Sequence, residues 1–255
     1  DAESAYAALT NGTNLPADKQ EQIDNIAEKL GVTKETAEKI QALAEELGVE
    51  IETLLLTDNS FAGSDTENDM KGSTFSLLQL KATNIATKQV TLRWKKVKAA
   101  DGYQIYGTRC GKGNKAKLIK TIEKNGTTKF KVKKLLKGKA YRYVVRAYKM
   151  IDGNKITIAA SKTTHIFTNG GKYGNAKTVK VKKAKVTMKK GKTFKIKASE
   201  VKAKKPLRRH RKLCYESSNT KVAEVTNKGV IKGKSKGTCF IYVYAQNGIY
   251  KKIKV

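Results

Sequence analysis

Residues 213–255 read LCYESSNTKVAEVTNKGVIKGKSKGTCFIYVYAQNGIYKKIKV. An aromatic residue, a Ser-Ser-Asn turn, apolar pairs and spaced glycines follow one another in the order of short strands and tight turns, so the segment reads as one β-sandwich module. Strand alternation sets the faces: with Tyr215 toward the core, Cys214 points outward, whereas Cys239 shares the parity of Ile241 and Val243 and points inward. That parity disfavours a Cys214 to Cys239 bridge, because bridged sulfurs need close, facing Cβ atoms. With Cys110 the cysteines are odd in number and far apart, giving neither a zinc spacing nor a disulfide framework.

Working outward, residues 174 to 212 continue the alternation through Val179 and Val181, Val186 and Met188, then Phe194, Ile196 and Ala198, and the chain closes on Ile253 and Val255. Lysines take much of the opposite face. Residues 75 to 168 are also strand-like, with Val90, Leu92 and Trp94 on one face, then Tyr103 and Ile105, and later Tyr141, Tyr143, Val145 and Ala147. Turn signals at Ala100-Asp101-Gly102, Gly111 to Asn114, Asn125-Gly126 and Asp152 to Asn154 separate these runs.

The head of the chain has a different period. Ile23, Ile26, Ala27 and Leu30 share one helical face, and Ala37, Ile40, Ala44 and Leu47 repeat it after a break. Pro16 near the first turn, Gly31 and Gly48 as stops and Thr33 as a cap frame two helices, with a short third element over Ile51 and Leu54 to Leu56 and a further turn over Ala5 to Leu9. Met70 to Thr74 reads as a linker.

The 255 residues carry a net charge of +32, 39% hydrophobic and 7% aromatic residues. Charge is divided sharply: residues 1–74 hold 5 Lys against 16 Asp plus Glu, and the remainder holds 49 Lys plus Arg against 6 acids. Composition and pattern together predict a multidomain, mainly β chain: an acidic helical domain over 1–72 and two antiparallel β-sandwiches over 73–170 and 171–255. No run approaches a transmembrane span. The first residue, Asp1, lacks an initiator Met, which suits either a mature end after signal-peptide removal or a trimmed chain.

Three pieces of the middle module resemble a fibronectin type III domain: Val90 to Trp94 with its core Trp, Asp101 to Tyr106, and Leu135 to Ala147 with a corner tyrosine at Tyr141. The resemblance implies a buried Tyr141 ring with its hydroxyl bonded to nearby backbone. Lys137 stands where that family often has Pro, and no Arg-Gly-Asp is present. The last module resembles a bacterial immunoglobulin-like domain of group 2, the type found in invasin- and intimin-like proteins and in surface proteins of Gram-positive bacteria. Its marks are Tyr215-Glu-Ser-Ser-Asn219 (Tyr in place of the common Trp), Val222-Ala223, Gly229 to Ile231 and Gly237 to Ile241. The stretch from Val201 to Lys212 is longer and more basic than that pattern. Residues 26–40 resemble a helix-turn-helix, but the second helix carries Glu35, Glu38, Glu45 and Glu46, the wrong sign for phosphate contacts.

These resemblances imply an exported, extracellular or cell-wall-associated bacterial protein that serves as an adhesion or spacer module and is not an enzyme. The alternative is a glycan-binding or accessory region of a carbohydrate-active surface enzyme. Candidate polyanion contacts are Lys202, Lys204, Lys205, Arg208, Arg209, Arg211 and Lys212, weighed against a merely solvated loop. Expected partners are anionic cell-wall polymers, glycans or host surface proteins. A specific nucleic acid is not expected, since Lys outnumbers Arg 42 to 7 after residue 74 and dedicated phosphate readers favour Arg forks and stacked aromatics. Exposed Tyr106, Tyr242 and Tyr244 would suit a sugar-stacking platform or simple cross-strand pairing. His165 and His210 fall in different modules without carboxylates, so no catalytic residue, metal ligand or cofactor is assigned.

Overall fold

A computed structural model describes residues 17–57 and 77–255. The readings made for Pro16, Ala5 to Leu9 and the Met70 to Thr74 linker lie outside the described residues. The described residues divide into two compact units, one of residues 17–57 with 150–156 and the other of residues 77–149 with 157–255.

In the first unit, α1 (Ala17–Leu30) and α2 (Lys34–Leu47) are followed by the one-turn helix α3 (Ile51–Leu54). The Thr33 hydroxyl accepts from the Thr36 amide at 3.2 Å and Gly48 closes α2 in the left-handed region, satisfying end groups that the helix itself cannot. Ile23, Ile26, Ala37, Ile40, Ala44 and Leu54 form the core together with Ile156, and Ile151 packs beside it. Asp152 joins the polar edge: its carboxylate accepts from Lys39 Nζ at 3.0 Å and from the Thr36 hydroxyl at 2.9 Å. Those two hydrogen bonds, Lys39 first, hold the Asp152 carboxyl below its ordinary value of 3.8. A depressed folded-state pKa gives a contribution that is full above the unfolded value and fades as pH falls through the folded one. We therefore expect the helical unit to loosen below about pH 4, and Asp152→Asn to flatten that acid limb when the far-UV helical signal is followed in thermal melts from pH 7 to 2.

The second unit opens with β1 (Lys81–Thr83), β2 (Val90–Arg93), β3 (Gly102–Arg109), β4 (Lys117–Ile122), β5 (Lys129–Val132), β6 (Ala140–Ile151), β7 (Asn154–Ala160) and β8 (Thr164–Phe167). One antiparallel sheet runs β1-β2-β5; the other runs β4-β3-β6-β7, with β8 also pairing β6. Together the two sheets make an antiparallel β-sandwich, as the strand pattern predicted. Val90, Leu92, Trp94, Tyr103, Ile105 and Val145 are buried as their alternation predicts, and Trp94 meets Tyr103 edge to face at 5.4 Å. The Tyr141 hydroxyl accepts from the Leu136 amide at 2.9 Å, as expected of a corner tyrosine, although its ring is half-buried rather than buried. Lys137 leaves this corner intact, because Gly138 at φ 64° lies so close to Gly171 that a Cβ there would come within 2.7 Å of the Gly171 Cα.

The remaining strands are β9 (Ala176–Val181), β10 (Thr193–Lys195), β11 (Ala198–Lys202), β12 (Cys214–Ser217), β13 (Ala223–Val225), β14 (Val230–Gly233), β15 (Phe240–Tyr244) and β16 (Tyr250–Lys254). They form the antiparallel sheets β10-β14-β13 and β12-β15-β16 and the pair β11-β9. One core gathers Val179, Val186, Ile196, Tyr215, Val225, Ile231, Ile241, Val243 and Ile253, so the alternation read from sequence is the inner face. Gly229, at φ 75°, passes beneath the Tyr215 ring, where a Cβ would lie 2.7 Å from Cζ. Cys239 belongs to this core, whereas Cys214 packs on the opposite face with Tyr242 and Tyr244, and the two are not bridged.

The outer face of β12 and β15 is also covered. Leu77 packs there, its amide donating to Glu216 Oε2 at 3.3 Å, while Gln79 Nε2 donates to the Tyr244 hydroxyl at 2.9 Å. Nearby, the Ala82 amide donates to the Asn247 carbonyl at 3.0 Å and the His165 amide to the Gln246 carbonyl at 2.6 Å.

Candidate functional site: a basic cleft beside a pinned loop

The basic stretch after β11 is not a loose solvated loop. Gln246, almost wholly buried, accepts from the His210 amide at 2.8 Å through Oε1 and donates from Nε2 to the Arg208 carbonyl at 2.9 Å. Gly174 N donates to the Pro206 carbonyl at 3.0 Å, and Lys205 Nζ donates to the Gly171 carbonyl. Such backbone pinning removes most of the freedom that a polar, lysine-rich segment would otherwise keep.

The candidate cations have different fates. Lys202, Lys204, Lys205, Arg208, Arg209 and Lys212 are exposed. Arg211 is buried, its guanidinium donating to the Lys212 carbonyl at 3.0 Å and the Ala245 carbonyl at 3.2 Å, so it serves the fold and is withdrawn from the surface. Arg209 Nε donates to Glu200 Oε2 at 2.6 Å, and Arg208 lies over the Tyr173 ring at 5.6 Å.

Arg209 and Lys212 line a cleft of about 610 Å³, where they meet Lys195 and Lys228 from distant parts of the sequence. Tyr215, Leu213 and Ala198 add apolar surface, and Ser199 and Asn227 add hydrogen-bonding groups. Glu200 also borders the cleft, but its carboxylate is engaged by Arg209 and the Gln246 amide. The sequence displayed only the local part of this site. Lys195 and Lys228 were invisible as partners because strand crossing, rather than spacing, brings them to the basic loop.

The tyrosine platform is corrected. Tyr106, Tyr242 and Tyr244 are all buried, at 2%, 9% and 2% exposure. Arg146 covers Tyr106 with its guanidinium 4.9 Å from the ring centroid, and Tyr250 meets both Tyr242 and Tyr244 edge on. They stabilise the sandwiches and offer no open face to a sugar.

The two histidines, separated in the sequence reading, are together. His165 and His210 stack with nearly parallel rings 5.6 Å apart, and the Cys110 Sγ lies 3.6 Å from His165 Nδ1. Burial, reinforced by Arg211, lowers the His165 pKa to about 3, and burial pushes the Cys110 thiol up to about 12. A thiol so protonated is a poor nucleophile at neutral pH.

Residues 175–255 match the family model of the bacterial Ig-like domain (group 2). Domains of this family occur in bacterial surface proteins, and immunoglobulin-like and fibronectin type III-like domains are typically non-catalytic. Solved structures similar to part of the chain include the FN5 domain of Drosophila Lar, at 23% identity, 40% coverage of this chain, 99% of that one and a TM-score of 0.29. Another is the fn3 domain of human contactin 1, at 16% identity, 36% and 75% coverage and a TM-score of 0.28. No curated protein matches the chain. Among the described residues no helix is long and apolar enough to cross a membrane.

Proposed function

We propose that this chain is a non-enzymatic segment of an exported bacterial surface protein, acting as an adhesive spacer whose basic cleft contacts anionic envelope polymers. The observation that carries the reading is the convergence of Lys195, Arg209, Lys212 and Lys228 on one cleft beside hydrogen-bonding and apolar groups. With Arg209 paired to Glu200, the three lysines leave the concavity net positive, and charges around a concavity focus a potential more strongly than the same charges spread on a flat sheet. The fold supports the coarser part, since such sandwiches are typical of surface adhesion modules. The carbohydrate-enzyme alternative loses its aromatic platform with the burial of Tyr106, Tyr242 and Tyr244.

The test is binding of the full chain to poly(glycerol phosphate) by calorimetry at low and physiological salt. Neutralising Lys195, Lys212 and Lys228 to Gln, while leaving Arg209 to satisfy the buried Glu200, is expected to weaken binding about tenfold or more. The same change at the exposed lysines Lys251, Lys252 and Lys254 on β16 serves as the control. Equal losses in both variants would assign the affinity to diffuse charge and overturn the cleft as the site.

A further inference from the structure

We infer that Cys110, His165 and His210 form a binding site for a soft monovalent transition-metal ion, copper(I). The fold builds this constellation from three remote segments. Cys110 follows β3, and its amide donates to the Ala140 carbonyl at 2.9 Å, while His165 on β8 pairs with Arg142. Ala140 and Arg142 are two apart on β6 and therefore share a face, which places Cys110 and His165 on that same face, on strands that flank β6. His210 arrives from the pinned basic loop. Gln246 fixes both histidine backbones, through its carbonyl to His165 and its side chain to His210.

The geometry suits three-coordinate ligation. One ligand atom from each residue falls within 4.8 Å of the others, and the 3.6 Å between Cys110 Sγ and His165 Nδ1 matches two ligands on a shared metal. Metal bonds of about 2.0 Å to nitrogen and 2.3 Å to sulfur separate trigonal ligands by roughly 3.5 Å. Ligation requires the exposed His210 ring to turn out of its parallel stack on His165.

The donor set and its surroundings choose the ion. One sulfur and two imidazoles favour soft or borderline metals over magnesium or calcium. Arg142 and Arg211 act electrostatically on His165, and Arg208 acts on His210. In such a cationic, partly buried place each uncompensated charge is costly. Copper(I) with one thiolate is neutral, whereas zinc(II) would leave one positive charge and lack a fourth protein ligand. Binding replaces the thiol proton: the S–H bond breaks, the S–Cu bond forms, the proton passes to solvent, and the copper stays at the same oxidation state.

The experiment uses the reduced full chain under anaerobic conditions, with copper(I) supplied as its bis(bicinchoninate) complex. One copper per chain should be withdrawn from the chromophore, with one sulfur and two nitrogen scatterers in X-ray absorption. Cys110→Ala and His210→Gln should each lower the affinity about 100-fold, with Cys214→Ala unchanged and folding verified by melting curves. His210 is exposed, so its variant tests the site even if Cys110→Ala proves less stable. No withdrawal, withdrawal unaltered in both ligand variants, or displacement of copper(I) by equimolar zinc(II) would each overturn the assignment.

Discussion

Replacing Gly248 with Ala is expected to uncouple the two sandwiches. Gly248 sits at φ 87° in the turn between β15 and β16, and a Cβ built there would lie 2.1 Å from the Leu80 carbonyl oxygen and 2.6 Å from the Lys81 Cα. Both obstacles are backbone, and neither can rotate away. The Leu80 carbonyl is further held by the Thr164 hydroxyl at 3.1 Å, and the adjoining turn by the bond from Ala82 N to Asn247 O. Left-handed strain and overpacking together should cost on the order of 3 kcal/mol. The wild-type pair should melt in one transition and the variant in two, read by calorimetry. Gly126→Ala is the control, because nothing lies within 4 Å of the added atom and its φ is ordinary. A Gly248→Ala melt superimposable on wild type would show that the turn adjusts and that this contact does not join the modules.

Glu216→Ala is expected to be nearly as damaging, for a different reason. The Glu216 carboxyl is buried on the outer face of β12, accepting from the Tyr244 hydroxyl at 2.8 Å and from the Leu77 amide at 3.3 Å. Truncation leaves the buried Tyr244 hydroxyl and the half-buried Leu77 amide without their acceptor and opens a void, costing about 3 kcal/mol. Tyr244→Phe removes the hydroxyl that joins Glu216 to Gln79 and should cost about 1–2 kcal/mol. Because the two residues share one network, the double variant should lose less than the sum, by at least about 0.5 kcal/mol in urea unfolding. Strict additivity, or single losses within the noise of the midpoint, would deny the network a stabilising role.

These same residues show where sequence reading stops. Alternation placed Tyr215 on the inner face of β12 and Cys214 on the outer one, and it turned Cys239, Ile241 and Val243 inward, where they share one core with Tyr215. Period two cannot say whether the second face meets water. Here that face is closed by Leu77 and Gln79, some 140 residues earlier in the chain, so Glu216, Tyr242 and Tyr244 are inside although their spacing is that of outward residues. The helices were more legible because their signals are local: the Thr33 cap and the Gly31 and Gly48 stops lie within a turn of the groups they satisfy. The site followed the same rule. The run from Lys202 to Lys212 was visible as charge, yet its pinning by Gln246, the burial of Arg211 and the arrival of Lys195, Lys228, Cys110 and His165 all depend on strand order.

The pinned loop also sets the thermodynamic character of any polymer contact. With its backbone already ordered by Gln246 and Gly174, the protein gives up little configurational freedom on binding, and nearly all the entropic loss falls on the polymer. Affinity at fixed charge should therefore rise with the persistence length of the anionic chain presented to it. A flexible polyphosphate and a stiff acidic polysaccharide of equal charge density would differ mainly in entropy, with the stiffer chain held longer.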